Sequence, residues 1–466
     1  MFEGKTIMHA IPANQLYLYY FLLFTLYVLF LRRIKLTYLT ATIMLLFNQG
    51  FLISLLPTAG TLLAKVMLLF LVIVLLMRAR ISKLTRKESS TLWLFILFTG
   101  LFFLNYYINR ISLLWALNHY HKFFIPVALF YAIKGLKLSD NESQYYSHLI
   151  IKLLWFQIAF SVVKLLVLGF RENITGSLSN AGGGIGIGYA IIGTIVYWTM
   201  RGENLKGKDW WFALLLLLMP IASNKRAIWL LYPIILALLM LNRINKQTLK
   251  KIATVILLIP IIIYVGFRFN PSLNPERKLW GSFNMDYAVN YILSYSGASQ
   301  EKLSGEYAQG RLGAASTIIT NTIRDPFSHE SLFGYGRTRK GKISDDFEPE
   351  DYGLMPGTLI SRIGTMIIQM GWMATLLIIS VFLRLIYTIP DRKIARIVSF
   401  YVLLDIILYS GSMIDTPTQS VLLVLSIYVI KYYSERNAEY SYALAKQGSS
   451  EISSYANPVS APVQAS

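Results

Sequence analysis

Long apolar runs, each closed by a short polar or basic connection, recur along the chain from Leu16 to Tyr433. Crossing about 30 Å of hydrocarbon takes roughly 20 apolar residues, and fewer where polar flanks snorkel. On that rule the pattern predicts about thirteen spans, near 16–31, 36–56, 61–77, 91–108, 112–134, 148–170, 183–200, 210–222, 227–241, 252–267, 357–387, 397–412 and 418–433. The expected fold is an all-α polytopic membrane protein of 12–14 transmembrane helices. The run at 16–31 reads as a retained span, because Lys5 is the lone basic residue ahead of it and no small-residue cleavage site follows. One interruption is different in kind: residues 269–355 form a polar stretch with no spanning run. The chain therefore divides into a transmembrane bundle (1–268), a loop domain (269–356), C-terminal transmembrane helices (357–433) and a tail (434–466) whose Ser, Ala, Tyr, Asn and Gln predict disorder.

Charge orients this pattern, since Lys and Arg in short loops stay on the cytoplasmic side. Arg32, Arg33 and Lys35; Arg78 to Lys87; Arg201, Lys206 and Lys208; Arg243 to Lys251; and Arg392, Lys393 and Arg396 all fall on one side in alternation. The connections at 57–60, 105–110, 171–181 and 413–418 are poor in charge and belong outside, as does the loop of 269–355. Hydrophobic residues make up 55% of the chain, more than a soluble core requires, which supports the membrane reading. The formal net charge of +20 is a product of topology: the loop holds nine Lys and Arg against eleven Asp and Glu, so the excess lies in the cytoplasmic connections. Basic residues spread in this way give no clustered footprint for a nucleic acid. The chain has no cysteine, which excludes disulfides, thiolate metal sites and a cysteine nucleophile.

Several strings imitate known motifs. In Gly334 to Lys342, "GYGRTRKGK", the spacing of Gly336, Gly341 and Lys342 is that of a phosphate-binding loop. Ile343 replaces the magnesium-binding Ser or Thr, no buried strand precedes it, and the loop lies outside, so a nucleotide site is not expected. "GGGIGIG", Gly182 to Gly188, opens a span and suits flexible or close helix packing. His119 and His121 flank Tyr120 at a membrane edge without a third ligand nearby, which argues against a metal there. Trp280, Tyr287, Tyr291 and Tyr307 in the loop could stack on sugar rings, although aromatics at a membrane surface usually anchor.

Two features carry more weight. "ASNKRAIWLL", 222–231, sets Lys225 and Arg226 at a short external turn between apolar runs. Within the loop, Leu312, Ala315, Ser316, Ile319, Thr322 and Ile323 share one face of an amphipathic helix that begins just after Arg311 and ends before Asp325-Pro326. Phe327 and then Phe333-Gly334-Tyr335-Gly336 follow.

In that order the features resemble the bacterial O-antigen polymerase and O-antigen ligase superfamily, over roughly residues 180–390. The resemblance rests on Ser223-x-Lys225-Arg226, the Gly310-Arg311-Leu312 start of the loop helix, Pro326-Phe327, Gly334-Tyr335-Gly336 and "IIQMGWMATLL" from Ile367. It implies a metal-independent glycosyltransferase without cofactor that acts on undecaprenyl-diphosphate-linked glycans at the outer face of the inner membrane. Such a transfer expels a di- or trianionic leaving group, which fixed positive charge stabilises, and arginine keeps its charge when desolvated. Arg226 and Arg311 are the catalytic candidates; Lys225, Arg337, Arg339 and Arg362 are candidate substrate-binding residues.

Ligases of the superfamily commonly carry a His-Asn pair after the loop, whereas "PGTLISRIGTMIIQMGW" has Ser361 and Arg362 and no histidine. This favours a polymerase, with a ligase passing polymer to lipid A core as the near alternative and a flippase or secondary transporter as the distant one. The general base stays open among Glu306, Asp325, His329, Glu330 and Asp351. Expected partners are the lipid-linked glycan and the bilayer, with room for a chain-length regulator protein and none for nucleic acid.

Overall fold

The computed structural model describes residues 37–50, 60–80, 84–168, 174–178, 185–201, 212, 214–223, 225, 228–240, 260–261, 264–270, 273–278, 280–296, 311–336, 360–408, 413–414 and 416–455. Among them the only β pairing is an isolated bridge between Thr175 and Ser177; the rest is helix and connection. The helices are α1 (Tyr38–Phe47), α2 (Gly60–Arg78), α3 (Arg86–Ile108), α4 (Leu113–Gly135), α5 (Asp140–Leu168), α6 (Ile185–Arg201), α7 (Leu218–Ala222) and α8 (Ile228–Met240). They continue as α9 (Met285–Ser296), α10 (Arg311–Arg324), α11 (His329–Phe333), α12 (Arg362–Ile386), α13 (Arg392–Leu408) and α14 (Pro417–Tyr455). Among the described residues three stretches, Arg86–Ile108, Asp140–Leu166 and Arg362–Ile386, are long and apolar enough to cross a membrane. The chain is a helical membrane protein.

Local chemistry sets the helix ends. α3 starts on a capping box: the Thr85 hydroxyl accepts from the Glu88 N–H while the Glu88 carboxylate accepts from the Thr85 N–H. Glu88 also pairs with Lys134, tying the start of α3 to the end of α4. At the same end the Arg80 N–H donates to the Gly135 carbonyl and Arg384 donates to the Ser90 hydroxyl. We call this the lower end. At the upper end α3 and α13 finish while α2, α4 and α12 begin, joined by contacts such as Tyr106 with His119 and Lys65 with Asn118. α12 packs chiefly on α3, α2 on α4, and α14 on α4 and α6. A cavity of about 230 Å³ lies at the lower end among Lys134, Lys137, Tyr428, Lys431 and Glu435, opposite the predicted site residues.

The structure differs from expectation in two elements. The segment after Tyr433 does not turn to coil: α14 continues to Tyr455, because the run from Ser434 to Gln447 holds no Gly or Pro and is rich in helix-forming Ala, Glu and Lys. α10 spans the predicted stretch, but it buries Ala314, Ala315, Ile318 and Thr322, leaving Leu312 and Ile323 exposed. The small residues decide the face, since they let α10 approach α12 closely enough for Ile318 to press on Gly364. The predicted span at 16–31 lies outside the described residues.

Candidate functional site

Arg311 is the first residue of α10, and its Nη1 donates to the carbonyl of Leu408, the last residue of α13, at 3.4 Å. One turn back along α13 sits Asp405, fully buried. Its Oδ2 accepts the Met413 N–H at 2.7 Å, which folds the chain after α13 back over the carboxylate. Oδ1 has no hydrogen-bond partner among the described residues. A buried carboxylate in an otherwise apolar helix is costly unless the site uses it.

The beginning of α6 connects this place to the Lys225 turn. A Cβ on Gly188 would meet Met413 Sδ at 2.8 Å and Tyr401 Oη at 3.2 Å; Tyr401 lies one turn before Asp405 on α13, and Met413 is the residue whose N–H bonds its carboxylate. A Cβ on Gly186 would meet Ser223 Oγ at 3.3 Å and the Pro220 backbone. Gly186 and Gly188 thus serve close packing, and because residues two apart on a helix point about 200° apart, α6 lies between the Ser223 turn and the upper part of α13. The Lys225 N–H donates to the Pro220 carbonyl at 2.9 Å and its side chain is half-buried. Arg226, Arg337 and Arg339 lie outside the described residues.

Arg362 opens α12 and joins a different group: its charge acts on Lys122 and His119 of α4. Below it α12 is broken. Gly371 has φ 75° and ψ 167°, a conformation essentially reserved for glycine, and α11 fits into the break. The Tyr335 N–H donates to the Ile368 carbonyl at 2.8 Å. Trp372 Nε1 donates to the Pro326 carbonyl at 2.9 Å. A Cβ on Gly371 would fall 1.9 Å from the Leu332 carbonyl oxygen, and one on Gly334 (φ 64°) 2.5 Å from that of Ile368. Asn105 of α3 and Asn109, which caps that helix, hold the joint from the other side, donating to the carbonyls of Gln369 (3.5 Å) and Gly334 (3.3 Å). The Pro-Phe, Gly-Tyr-Gly and "IIQMGWM" strings, separate in sequence, therefore interlock.

Of the candidate bases, Asp325, His329 and Glu330 are exposed; Glu306 and Asp351 lie outside the described residues. Trp280 stacks with Arg268, 4.7 Å from guanidinium to ring, and Tyr287 stacks with Tyr291; Tyr307 is not described. His119 and His121 are buried near the upper end of α4. Sequence reasoning passed over Asp405, although a lone carboxylate inside a predicted span is itself a signal. No family model, curated protein or solved structure matches the chain.

Proposed function

We propose that the chain polymerises undecaprenyl-diphosphate-linked oligosaccharide repeat units into O-antigen or a related surface polysaccharide. On this reading it has 12–14 spans in the bacterial inner membrane, and the upper end of the bundle and the loop of 269–356 face the periplasm. The observation that carries the reading is the bond of Arg311 to the end of α13, one turn from the buried Asp405, with the start of α6 packed between α13 and the Ser223 turn. It combines fixed positive charge with a carboxylate able to accept a proton. Asp405 fills the role of general base that the sequence left open.

The reaction places a hydroxyl of one lipid-linked unit against the anomeric carbon of the donor glycan. The new C–O bond forms as the bond to the donor's diphosphate breaks. The hydroxyl proton passes to Asp405, and the released diphosphate keeps the electron pair. Arg311 and Arg226 balance that charge, and Lys225, Arg337 and Arg339 assist in holding the carrier.

With purified protein and lipid-linked repeat unit, Arg311→Ala and Arg226→Ala are each expected to abolish elongation without loss of folded protein. Normal elongation by both removes the arginines from the mechanism. In cells the same variants leave a single repeat unit on the acceptor; loss of every unit points instead to a ligase.

The break at Gly371 favours a second reading, because transporters build substrate sites on discontinuous helices. Here the freed carbonyls of Ile368 and Gln369 are taken by Tyr335 and Asn105, so the break serves internal packing. Movement of lipid-linked glycan across proteoliposomes without elongation would reverse that preference.

A further inference from the structure

At the lower end, away from Arg311 and Asp405, the cavity of about 230 Å³ between α4, the start of α5 and α14 has an apolar floor and a basic rim. The floor is made by Phe130, Ile133, Val424 and Ile427, all buried. Lys134, Lys137 and Lys431 line it together with one acid, Glu435. Lys134 is paired with Glu88, so the cavity keeps one positive charge in excess. Among the described residues the side chains of Lys137, Lys431 and Glu435 make no hydrogen bond or ion pair.

The other charged groups around the mouth are already engaged. The Tyr432 hydroxyl donates to Asp140 Oδ1 at 2.7 Å and accepts from Arg436 Nη1 at 3.3 Å. Glu142 accepts from the Ser139 N–H and hydroxyl, both at 2.9 Å, at the start of α5. The backbone of Lys137 is a second, independent sign. Leu136 caps α4, and Lys137 follows it with φ 46°, in the left-handed region where glycine is the usual residue beyond a helix end. A lysine there sets an ammonium group at the cavity that glycine would not supply. Basic residues also offset the carbonyls at a helix end, but Lys134 already stands in the last turn of α4 and Lys431 lies well inside α14.

We infer that this cavity binds the phosphodiester headgroup of an anionic phospholipid. A phosphodiester carries a single negative charge, which matches the one charge in excess, and the ammonium groups of Lys137 and Lys431 donate to its free oxygens. The floor of Phe130, Ile133, Val424 and Ile427 takes the carbons next to the phosphate, which a small hydrophilic anion does not offer. The volume exceeds the roughly 150 Å³ of a cavity that admits benzene, so a phosphate and its glycerol find room while the acyl chains continue into the bilayer. Basic pockets between membrane helices hold anionic headgroups in this way. A headgroup seated here joins α14 to the connection between α4 and α5.

The test uses the purified full-length chain in detergent, with native mass spectrometry to count retained lipids and thermophoresis to measure affinity. The probes are dioleoylphosphatidylglycerol, dioleoylphosphatidylcholine and glycerophosphate. Wild type is expected to retain one phosphatidylglycerol more than Lys431→Met, whose affinity falls roughly tenfold or more, as for a lost charge-assisted hydrogen bond, and returns in Lys431→Arg. Lys137→Gly is expected to lose the same lipid and, free of lipid, to melt no lower than wild type, because glycine suits the backbone at that position. An unchanged count in both variants overturns the inference. Lipid loss in Lys137→Gly together with a lower lipid-free melting temperature also overturns it, since Lys137 then holds the end of α4 and not a headgroup. Phosphatidylcholine bound as tightly as phosphatidylglycerol shows that the cavity selects no anion, and glycerophosphate bound as tightly shows that it selects no lipid; either result overturns the assignment. No glycan enters the measurement, so the inference stands or falls apart from the polymerase reading.

Discussion

Asp405 and Gly371 show how much a single position can carry. Asp405 sits where burial makes a carboxylate unfavourable and only one of its oxygens is bonded. Asp405→Asn preserves an oxygen for the Met413 N–H and removes the group that would take the proton. Elongation is expected to fall about 10²–10⁴-fold, the usual range for a lost general base, while the melting temperature holds because the bond to the Met413 N–H is kept. Retained elongation would reduce Asp405 to a stitch for the turn. At Gly371 the effect lies in packing. Any side chain meets the Leu332 carbonyl, and the backbone conformation alone costs an L-residue about 1–3 kcal/mol. Gly371→Ala should lower the melting temperature by several degrees and release α11, read as faster proteolysis between Arg324 and Gly336. Unchanged melting and protease resistance would show that α12 can straighten without cost.

At the scale of elements, the apolar runs at 61–77, 91–108, 112–134, 148–170 and 183–200 correspond to α2 through α6, because burial in hydrocarbon demands continuous apolar length and that demand is written locally. The ends shift where caps act: α3 starts at Arg86 rather than 91 because the Thr85 and Glu88 box extends it through charged residues. Contacts between distant segments were not legible. Nothing local announces that Gly334 and Gly371 meet, since the contact exists only once α11 and α12 are both formed. His119 read as a residue of the membrane edge and Arg362 as a substrate-binding candidate, and that the charge of Arg362 acts on His119 depends on α3 packing against both α4 and α12. Asp405 was overlooked for the opposite reason, as a single carboxylate hardly changes the hydropathy of its run. The buried face of α10 is shifted from the predicted one because Ile318 packs on Gly364, a position with no side chain to hold it off, and that contact is not written in the local pattern.

For the whole molecule, the decisive question is which face of the membrane the upper end occupies. The Arg311–Asp405 site, the α11–α12 joint and α10 lie there, so polymerisation outside the cell requires that end to be exposed on the outer face. The absence of cysteine makes this measurable, since a single introduced thiol is the only one present. Ser316 on α10 is exposed at the upper end, and Asn141 in the first turn of α5 is exposed at the lower end. In intact spheroplasts, a membrane-impermeant maleimide is expected to label Ser316→Cys and to spare Asn141→Cys. After permeabilisation both are labelled. The reverse pattern places Arg311 and Asp405 in the cytoplasm, away from carriers presented at the outer face, and ends the polymerase reading. Labelling of both in intact spheroplasts would show that the two ends of the bundle lie on one side, and the helices between them could not span the bilayer.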